Sequence, residues 1–573
     1  MKKRVVYVPL DDRPANLDDV ILQGRAAGIE VIVPQPEVTA NRLDSELTAE
    51  GSEVISTSAP TFGQIEPLQA FLAEHAACAD GFILSIDMLA YGGLIGSRRL
   101  RDNGGGAYPN YDAATMSLLH TIRGIKEHDK AKPVYVLDTV MRLASTVQVE
   151  GLTLQAYQES RSLMQQPRQQ QSEFEAILSG YDRKPDGSSF GAAVHFDKEQ
   201  YYNARRHKLK TTRYVLEELV EPGYVDFIAI GVDDAYIHGI QANEIAWIER
   251  YIDDRLGGQN GRHPGRAVIL PDADGLGHSL LARIARQLYG DGSYPQYLVS
   301  YYGPHGSAIV NPYEYQSVHD NMVSHIDIAG GGLSDGDSYE LEVVAVTAAS
   351  EAAAATARVA ANGASGIPTI LIDFTSGGAS GHETTNSLLS HAATGRMFGY
   401  SGWNTAGNKI GLALGMAHSR YAFVTAEAEQ AVRADAADAH ASLLFKRLLK
   451  DYGYKKVVIG EIRAEAAART PYTNVTADQN LRLFVRPSDY EQLSVLLEQR
   501  MQAQAAAMAS QAAFNRSSDN GGGIVWCIAP AGWELADYTS FELPAGAAFF
   551  SWGRAFEITL KPMVHVTALD AEP

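Results

Sequence analysis

The sequence predicts an α/β fold, and three observations support this prediction. Short apolar runs rich in β-branched residues recur along the first 400 residues. These runs are continuous rather than alternating, which is typical of strands that are covered on both faces and so of a parallel sheet. Stretches with helical periodicity, such as 242–256 and 279–290, separate the runs. Alternating strands and helices of this kind indicate a doubly wound sheet or a barrel.

Ten of the apolar runs are strand candidates. They are 5–10, 30–35, 81–86, 134–139, 226–231, 267–271, 296–302, 341–346, 369–374 and 397–402. This number suits a (β/α)8 barrel-like parallel core with a small additional unit, which is the arrangement we predict. Two doubly wound α/β domains would also use ten strands, and they remain the alternative.

The character of the sequence changes after residue 420, and we predict three regions. Residues 1–420 form the α/β catalytic region, with an exposed helical insertion around 150–220 where apolar runs are few. Residues 421–516 are rich in Ala, Gln, Glu and Leu, which favours helices. Residues 517–573 are aromatic, β-branched and rich in turn residues, so we expect a small antiparallel β-rich unit.

Composition narrows the class of partner and the location. The chain has 573 residues, of which 45% are hydrophobic, and a formal net charge of -20. Its one compact basic stretch, 205–210, is too short for a nucleic-acid surface, so nucleic acid is not expected as a partner. No window is apolar enough to span a membrane, and the N-terminal apolar run is too short for a signal peptide. We therefore expect a soluble, cytoplasmic protein.

The chain has only two cysteines, Cys78 and Cys527. This number argues against a disulfide framework and against a cysteine-based zinc site. We expect both side chains to be small buried hydrophobic groups.

Aspartates recur at the C-terminal ends of the predicted strands, beginning with "VVYVPLDDRP" at 5–14. Six of the ten candidate strands deliver an Asp at or just past their ends. Ligands of parallel α/β folds bind outside the carboxyl ends of the strands, so these groups can share one cleft. An Asp after a strand can also be a helix N-cap, and that role remains open for each. The substrate-binding candidates at these ends are Asp11, Asp12, Arg13, Asp87, Tyr91, Asp138, Arg142, Asp272, Asp274 and Asp373.

The motif "GVDDAYIHG" at 231–239 contains the catalytic candidates, Asp233 and Asp234. Two vicinal carboxyl groups can be held in different environments, so that one acts as an acid while the other stays ionised. We predict Asp234 as the general acid and Asp233 as the orienting or charge-stabilising group. A helix cap followed by a surface acid is the alternative.

The motif "GYSGWNTAGNKIG" at 399–411 places Trp403 among glycines and beside Asn404 and Asn408. An indole ring offers an apolar platform, and the amides offer donors and acceptors. A sugar presents one apolar face and a rim of hydroxyls, so these three residues are predicted to bind it. A core tryptophan that closes a strand–helix turn is the alternative.

A metal site is a further possibility at "PDADGLGHS", 271–279. Asp272, Asp274 and His278 could supply a divalent metal site, or the motif could be an N-cap with a tight glycine turn. The chain has no HExxH or CxxC, so a zinc site has no support from spacing. We expect no cofactor, and a divalent metal remains an open alternative.

Five motifs distributed along the chain resemble a bacterial family described as domain of unknown function 4127. The resemblance covers most of the chain and implies a soluble, bacterial family, but it implies no activity and no catalytic residues. The motifs are "VPLDDRPAN", "SIDMLAYGGLIGSR", "GVDDAYIHG", "GYSGWNTAGNKIG" and "SWGRAFEITL".

The site chemistry predicts a glycoside hydrolase-like enzyme that cleaves a small sugar-containing substrate. Glycosidic cleavage needs two carboxyl groups, and the strand ends supply them. A 2-acetamido sugar is one option for the substrate. The alternatives are a divalent-metal-dependent hydrolase or lyase and a non-catalytic carbohydrate-binding protein. The sequence does not identify the sugar, the stereochemical course or the oligomeric state.

Overall fold

The computed structural model describes residues 2–41, 45–47, 54–56, 61–147, 149, 152–290, 294–471, 476–514 and 522–569. Each of the ten candidate runs contains a strand, so these ten predictions are confirmed. The strands are β1 (Lys3–Val8), β2 (Ile29–Ile32), β3 (Ser45–Leu47), β4 (Val54–Ser56), β5 (Gly81–Ser85), β6 (Val134–Val140), β7 (Phe227–Val232), β8 (Arg262–His263), β9 (Ala267–Leu270), β10 (Gln296–Tyr302), β11 (Gly332–Leu333), β12 (Leu341–Val346), β13 (Thr369–Asp373), β14 (Gly399–Ser401), β15 (Ile524–Ala529), β16 (Gly532–Glu542), β17 (Ala548–Phe550), β18 (Ile558–Leu560) and β19 (Met563–Ala568).

Helices separate most of the parallel strands. They are α1 (Asp18–Ala26), α2 (Pro36–Thr39), α3 (Ile65–His75), α4 (Ile86–Tyr91), α5 (Leu94–Ser97), α6 (Ala113–His128), α7 (Leu154–Met164), α8 (Phe174–Ser179), α9 (Lys198–Val215), α10 (Gln241–Leu256), α11 (Leu276–Tyr289), α12 (Val318–Ala329), α13 (Ala352–Ser365), α14 (His382–Leu389), α15 (Ala406–Val424), α16 (Gln430–Leu448), α17 (Ile459–Ala467) and α18 (Pro487–Ala509). None of the helices in the described part of the chain is long and apolar enough to cross a membrane.

The predicted strands form two sheets. A seven-stranded sheet has the order β2-β1-β5-β6-β7-β9-β8 and is parallel except for the edge pair β8 and β9. A five-stranded sheet has the order β11-β10-β12-β13-β14 and is parallel throughout. The α/β class with parallel strands is therefore confirmed. The closed barrel that the sequence analysis favoured is not shown by these pairings.

Successive side chains along a strand point to opposite faces of the seven-stranded sheet, and both faces are covered by apolar residues. Val6 and Val8 of β1 belong to one apolar cluster, whereas Val5 and Tyr7 belong to another. The second cluster also contains apolar residues of α11, α12 and α15 and of β12 and β13 in the five-stranded sheet. These three helices therefore share one apolar core with both sheets. Continuous apolar strands follow from this arrangement, because neither face meets water.

Glycines allow α11 and α15 to approach closely. A Cβ atom on Gly411 would lie 2.7 Å from the Cα of Gly275, and one on Gly415 would lie 2.6 Å from the backbone of His278. Since no larger residue fits at either position, the two helices pack backbone to backbone. This packing brings the starts of α11 and α15, and the polar groups there, to the same place.

The last third of the chain matches the predicted secondary structure. Helices α16 and α18 lie where helix was expected, and a π-helical segment, Leu449–Val458, follows α16. The strands β15, β16 and β19 form an antiparallel sheet, and β17 pairs antiparallel with β18. The division into the three predicted regions stays a prediction.

Two expectations about exposure were wrong. The insertion was expected to be exposed, but α9 is mostly buried because it packs its charged side chains against acids of the sheet and of α10. Cys78 was expected to be buried, but it is exposed, whereas Cys527 is buried as expected. Both cysteines are free.

Candidate functional site

A cavity of about 540 Å³ opens at the carboxyl ends of β1, β7 and β9. The start of α15 and the segment after β17 also contribute to its wall. This volume lies within the range of small-molecule sites, about 300–1,000 Å³. Nine of the predicted site residues line it: Asp11, Arg13, Arg142, Asp233, Asp234, Asp272, Asp274, Asn404 and Asn408.

One side of the cavity is a buried cluster around Arg13. Its Nε donates to Asp11 Oδ2 at 2.9 Å, and its two terminal nitrogens donate to the carboxylate of Asp274. Asn16 Nδ2 donates to both acids, at 2.8 and 3.0 Å. Asn408 also donates to Asp274, at 3.4 Å. The motif "LDDRPAN" thus links the end of β1 to the start of α11, and the two carboxylates are already partnered inside the protein.

Another part of the cavity wall carries the vicinal acids that follow β7. Asp233 is buried, with a side chain 6% exposed, and it forms an ion pair with Arg98. Asp234 has a side chain that is 27% exposed, and its nearest cation is Arg142, whose guanidinium lies 3.7 Å away. That distance is longer than a hydrogen bond. The two neighbours therefore differ: Asp233 is paired with an arginine, whereas Asp234 is more exposed to the cavity.

Backbone strain is concentrated around this cavity. Six non-glycine residues of the described chain have positive φ, and four of them line the cavity. Such conformations are unfavourable and cluster at active sites and ligand clamps. The four residues are Asp234 (φ 44°), Tyr313 (φ 69°), Asn404 (φ 65°) and Trp552 (φ 52°).

Sequence reasoning missed several residues that also line the cavity, among them Arg98, Tyr157, Tyr313, Trp552 and Arg554. The guanidinium of Arg554 lies 4.7 Å from the ring centre of Trp552. Both belong to "SWGRAFEITL", whose Trp-Gly-Arg sequence was noted only for its resemblance. This motif carried a signal, because an aromatic residue and an arginine flank a glycine with φ of 66°.

Three predicted residues lie at the ends of β5 and β6 but do not line the cavity. Lys208 of α9 forms ion pairs with both Asp87 and Asp138. The hydroxyl of Tyr91 lies within hydrogen-bonding distance of His207 and Thr211. All of these groups are buried, so the structure places them in a closed polar core instead.

The structure also places Asp12, Asp373 and Trp403 outside the cavity lining. Asp12 accepts a hydrogen bond from Trp552 Nε1 at 2.9 Å, and burial raises the pKa of its carboxyl to about 6. Asp373 accepts from the backbone N–H groups of Thr375 and Gly381, which is a turn-capping role. Trp403 is fully buried, which corresponds to the alternative of a core tryptophan.

Asp272 borders the cavity, but its side chain turns into the protein and is 0% exposed. One carboxyl oxygen accepts from the backbone N–H groups of Ala273 and Gly275 at the start of α11. The other has no hydrogen-bond partner among the described residues and lies 3.6 Å from His325 Nε2. Burial raises the pKa of Asp272 to about 8 and lowers that of His325 to about 3.

The proposed metal ligands do not converge. His278 is buried, and its ring nitrogens lie beside Gln23 Oε1 and the carbonyl oxygen of Ala15, away from Asp272 and Asp274. Within the described ranges, no group of three or more His, Cys, Asp or Glu side chains is arranged to hold a metal ion.

Comparison with known families adds one finding to this geometry. A family model described as "Protein of unknown function (DUF4127)" matches residues 5–561. The chain belongs to the DUF4127 family. No curated protein and no solved structure matches it. The resemblance noted in the sequence is therefore confirmed.

The cavity of this DUF4127 protein combines three chemical features. It has one partly exposed carboxylate beside a second that is paired with arginine. It has aromatic side chains and the amides of Asn404 and Asn408. It also has a guanidinium, that of Arg554, with no hydrogen bond or ion pair to the described residues, whereas the other cavity arginines contact aspartates. These features suit a small polar ligand.

Proposed function

We propose that this protein is a glycoside hydrolase-like enzyme that cleaves a small sugar-containing substrate in the cavity. The observation that carries the proposal is the contrast between Asp233 and Asp234. The first is buried against Arg98, and the second stands on a strained backbone and faces the cavity. Two carboxyl groups in different environments are the usual basis for dividing acid and charge-stabilising roles.

Asp234 is the group that exchanges a proton with the glycosidic oxygen in this proposal. Burial raises the pKa of Asp233, and the ion pair with Arg98 opposes this rise. Arg142, 3.7 Å away, is the cation nearest to Asp234. Asp233, paired with Arg98, is the group that orients the substrate or stabilises the positive charge that develops on the sugar.

The rest of the wall fits a sugar. The rings of Trp552, Tyr157 and Tyr313 supply apolar surface, and Asn404 supplies an amide donor and acceptor. Asn408, whose amide is bound to Asp274, holds that acid in place beside the ligand. Sugars expose both an apolar face and a hydroxyl rim. A carbohydrate partner, a 2-acetamido sugar among the options, is therefore part of the proposal.

The test is turnover of a panel of aryl glycosides, including 2-acetamido sugars, with and without a chelator. We expect chelator-resistant release, reduced about 10²–10⁴-fold in kcat by Asp234→Asn because that variant cannot exchange the proton. Asp254→Asn is the matched control, since Asp254 is an exposed acid on α10, the helix that follows the catalytic pair. The control should keep the wild-type rate.

Other outcomes of the panel would favour other functions. Turnover that a chelator abolishes would favour a divalent-metal-dependent hydrolase. Sugar binding without turnover in the wild type would favour a non-catalytic carbohydrate-binding protein. Equal rates in Asp234→Asn and the wild type would contradict the role assigned to Asp234.

A further inference from the structure

Arg554 is the one arginine of the cavity wall whose guanidinium has no hydrogen bond or ion pair with any described residue. Its side chain is partly exposed to the cavity, while its Nε is buried without a partner. A buried charged group without a partner is unfavourable, and an anion that binds it removes this penalty.

The other three arginines of the wall are already engaged. Arg13 and Arg98 form ion pairs with aspartates, and Arg142 lies 3.7 Å from Asp234. Arg142 also donates to backbone carbonyl oxygens of its own loop. Arg554 therefore supplies the positive charge in the wall that is free to meet a ligand.

The guanidinium of Arg554 is held in a defined orientation. It lies 4.7 Å from the ring centre of Trp552, close enough for a cation–π contact. A guanidinium that lies over a ring keeps its N–H groups available at the edges, where they can bind a planar anion in a bidentate way. Burial and the neighbouring Arg13 lower the pKa of Arg554 to about 10, so it remains charged at neutral pH.

We propose that the substrate carries a carboxylate group, as in a uronic acid, and that Arg554 binds this group. This inference rests on the proposed function because it takes the ligand to be a sugar, but it does not require the protein to catalyse a reaction. A carboxylate fits better than a phosphate because its single charge matches one unpaired guanidinium. The carboxylates of Asp11, Asp234 and Asp274 in the same wall would repel a doubly charged group more strongly.

The experiment measures affinity by calorimetry rather than turnover. The probes are D-glucuronate and D-galacturonate, with D-glucose and D-galactose as neutral counterparts and inorganic phosphate as the competing anion. The variants are Arg554→Met, which removes the charge, and Arg554→Lys, which keeps the charge without the bidentate fork. Arg482→Met is the control, because Arg482 is exposed and does not line the cavity.

We expect at least one uronate to bind about ten-fold to a hundred-fold more tightly than its neutral counterpart, as a charge-assisted hydrogen bond provides. Arg554→Met should remove this preference, Arg554→Lys should keep part of it, and Arg482→Met should keep all of it. Equal affinities for uronates and neutral sugars, no binding of either uronate, tighter binding of phosphate, or an unchanged preference in Arg554→Met would each overturn the proposal.

These results are separable from those for the proposed function. Uronate binding through Arg554 without release from any aryl glycoside would leave the carboxylate site standing and reject the hydrolase. Release from neutral aryl glycosides at the same rate in Arg554→Met and the wild type, with no uronate preference, would leave the hydrolase standing and reject the carboxylate site.

Discussion

The carboxyl ends of β5 and β6 and the carboxyl end of β7 carry the same residue type, yet the protein uses them differently. At β5 and β6, Lys208 forms ion pairs with Asp87 and Asp138, and all three side chains are buried. At β7, Asp234 faces a cavity and its nearest cation is beyond hydrogen-bonding distance. The cluster of Asp87, Asp138 and Lys208 is closed to solvent, and we call it the closed cluster. The end of β7 is open to the cavity, and we call it the open end.

The difference lies in what covers the strands. Helix α9 crosses the ends of β5 and β6 and inserts Lys208 between the two acids. Hydroxyl groups complete the coordination, since Thr139 donates to Asp87 and Thr212 donates to Asp138. No described helix places a lysine over the end of β7 in the same way. An aspartate at a strand end therefore lies either in the buried core or at a site open to a ligand, depending on whether a cation pairs with it.

The largest effect is expected from Lys208→Met, which breaks the closed cluster. The variant leaves two carboxylates buried without their cation, and we expect a loss of about 3–5 kcal/mol in the free energy of unfolding. The loss should be smaller at pH 5 than at pH 8, because protonation of an acid removes a buried charge. Denaturant unfolding at the two pH values measures both quantities.

The control for this variant is Lys130→Met, because Lys130 is an exposed lysine and should have little effect on stability. A loss in Lys208→Met no larger than in Lys130→Met would contradict the structural role assigned to the closed cluster. A triple variant that also carries Asp87→Asn and Asp138→Asn should recover part of the loss.

Much of the fold could be predicted from the sequence because the strands are buried on both faces. A continuous run such as "GFILSI" can be recognised without knowing its neighbours, and all ten such runs are strands. The division of the strands between two sheets could not be predicted, because the order of parallel strands depends on contacts between distant residues. The closely packed pair α11 and α15, 130 residues apart, is an example of such a contact.

The candidate site was predictable only in part, for a similar reason. The sequence located the acids at the strand ends, but it could not show which of them a distant cation neutralises. Lys208 lies 70 residues from Asp138, in a stretch that was expected to be exposed. Trp552 and Arg554 lie more than 500 residues from Asp11, and no local pattern connects them with β1.

Asp272 provides an intermediate case, since it borders the cavity but its own side chain is buried. Its pKa of about 8 in the folded protein lies above the value of about 3.9 for an unfolded chain, so the folded state binds this proton more tightly. The stability from this group is present below pH 4 and is lost as the pH rises to about 8. We expect Asp272→Asn to remove this loss, which amounts to about 1.4 kcal/mol per pH unit in that window.

The measurement is the free energy of unfolding of both proteins between pH 5 and pH 8. The stability of the variant relative to the wild type should rise with pH, while the exposed control Asp335→Asn should follow the wild type. Parallel pH profiles for Asp272→Asn and the wild type would mean that Asp272 is ionised in the folded protein at pH 5.

The smallest effect on stability is expected at the open end, from Asp234→Asn. The side chain is 27% exposed, accepts no hydrogen bond from the described residues and lies 3.7 Å from Arg142, so little is lost when its charge is removed. We expect a change within about 0.5 kcal/mol in the free energy of unfolding.

An asparagine also tolerates the positive φ of 44° at this position, whereas a β-branched residue would not. Asp234→Val should therefore lose more stability than Asp234→Asn although both remove the charge. A stable Asp234→Asn protein would show that the chain keeps an acid on strained backbone where folding does not need one, as expected for a residue that acts on a ligand. A loss as large as that of Lys208→Met would instead place Asp234 with the closed cluster and remove the main reason for regarding the end of β7 as the site.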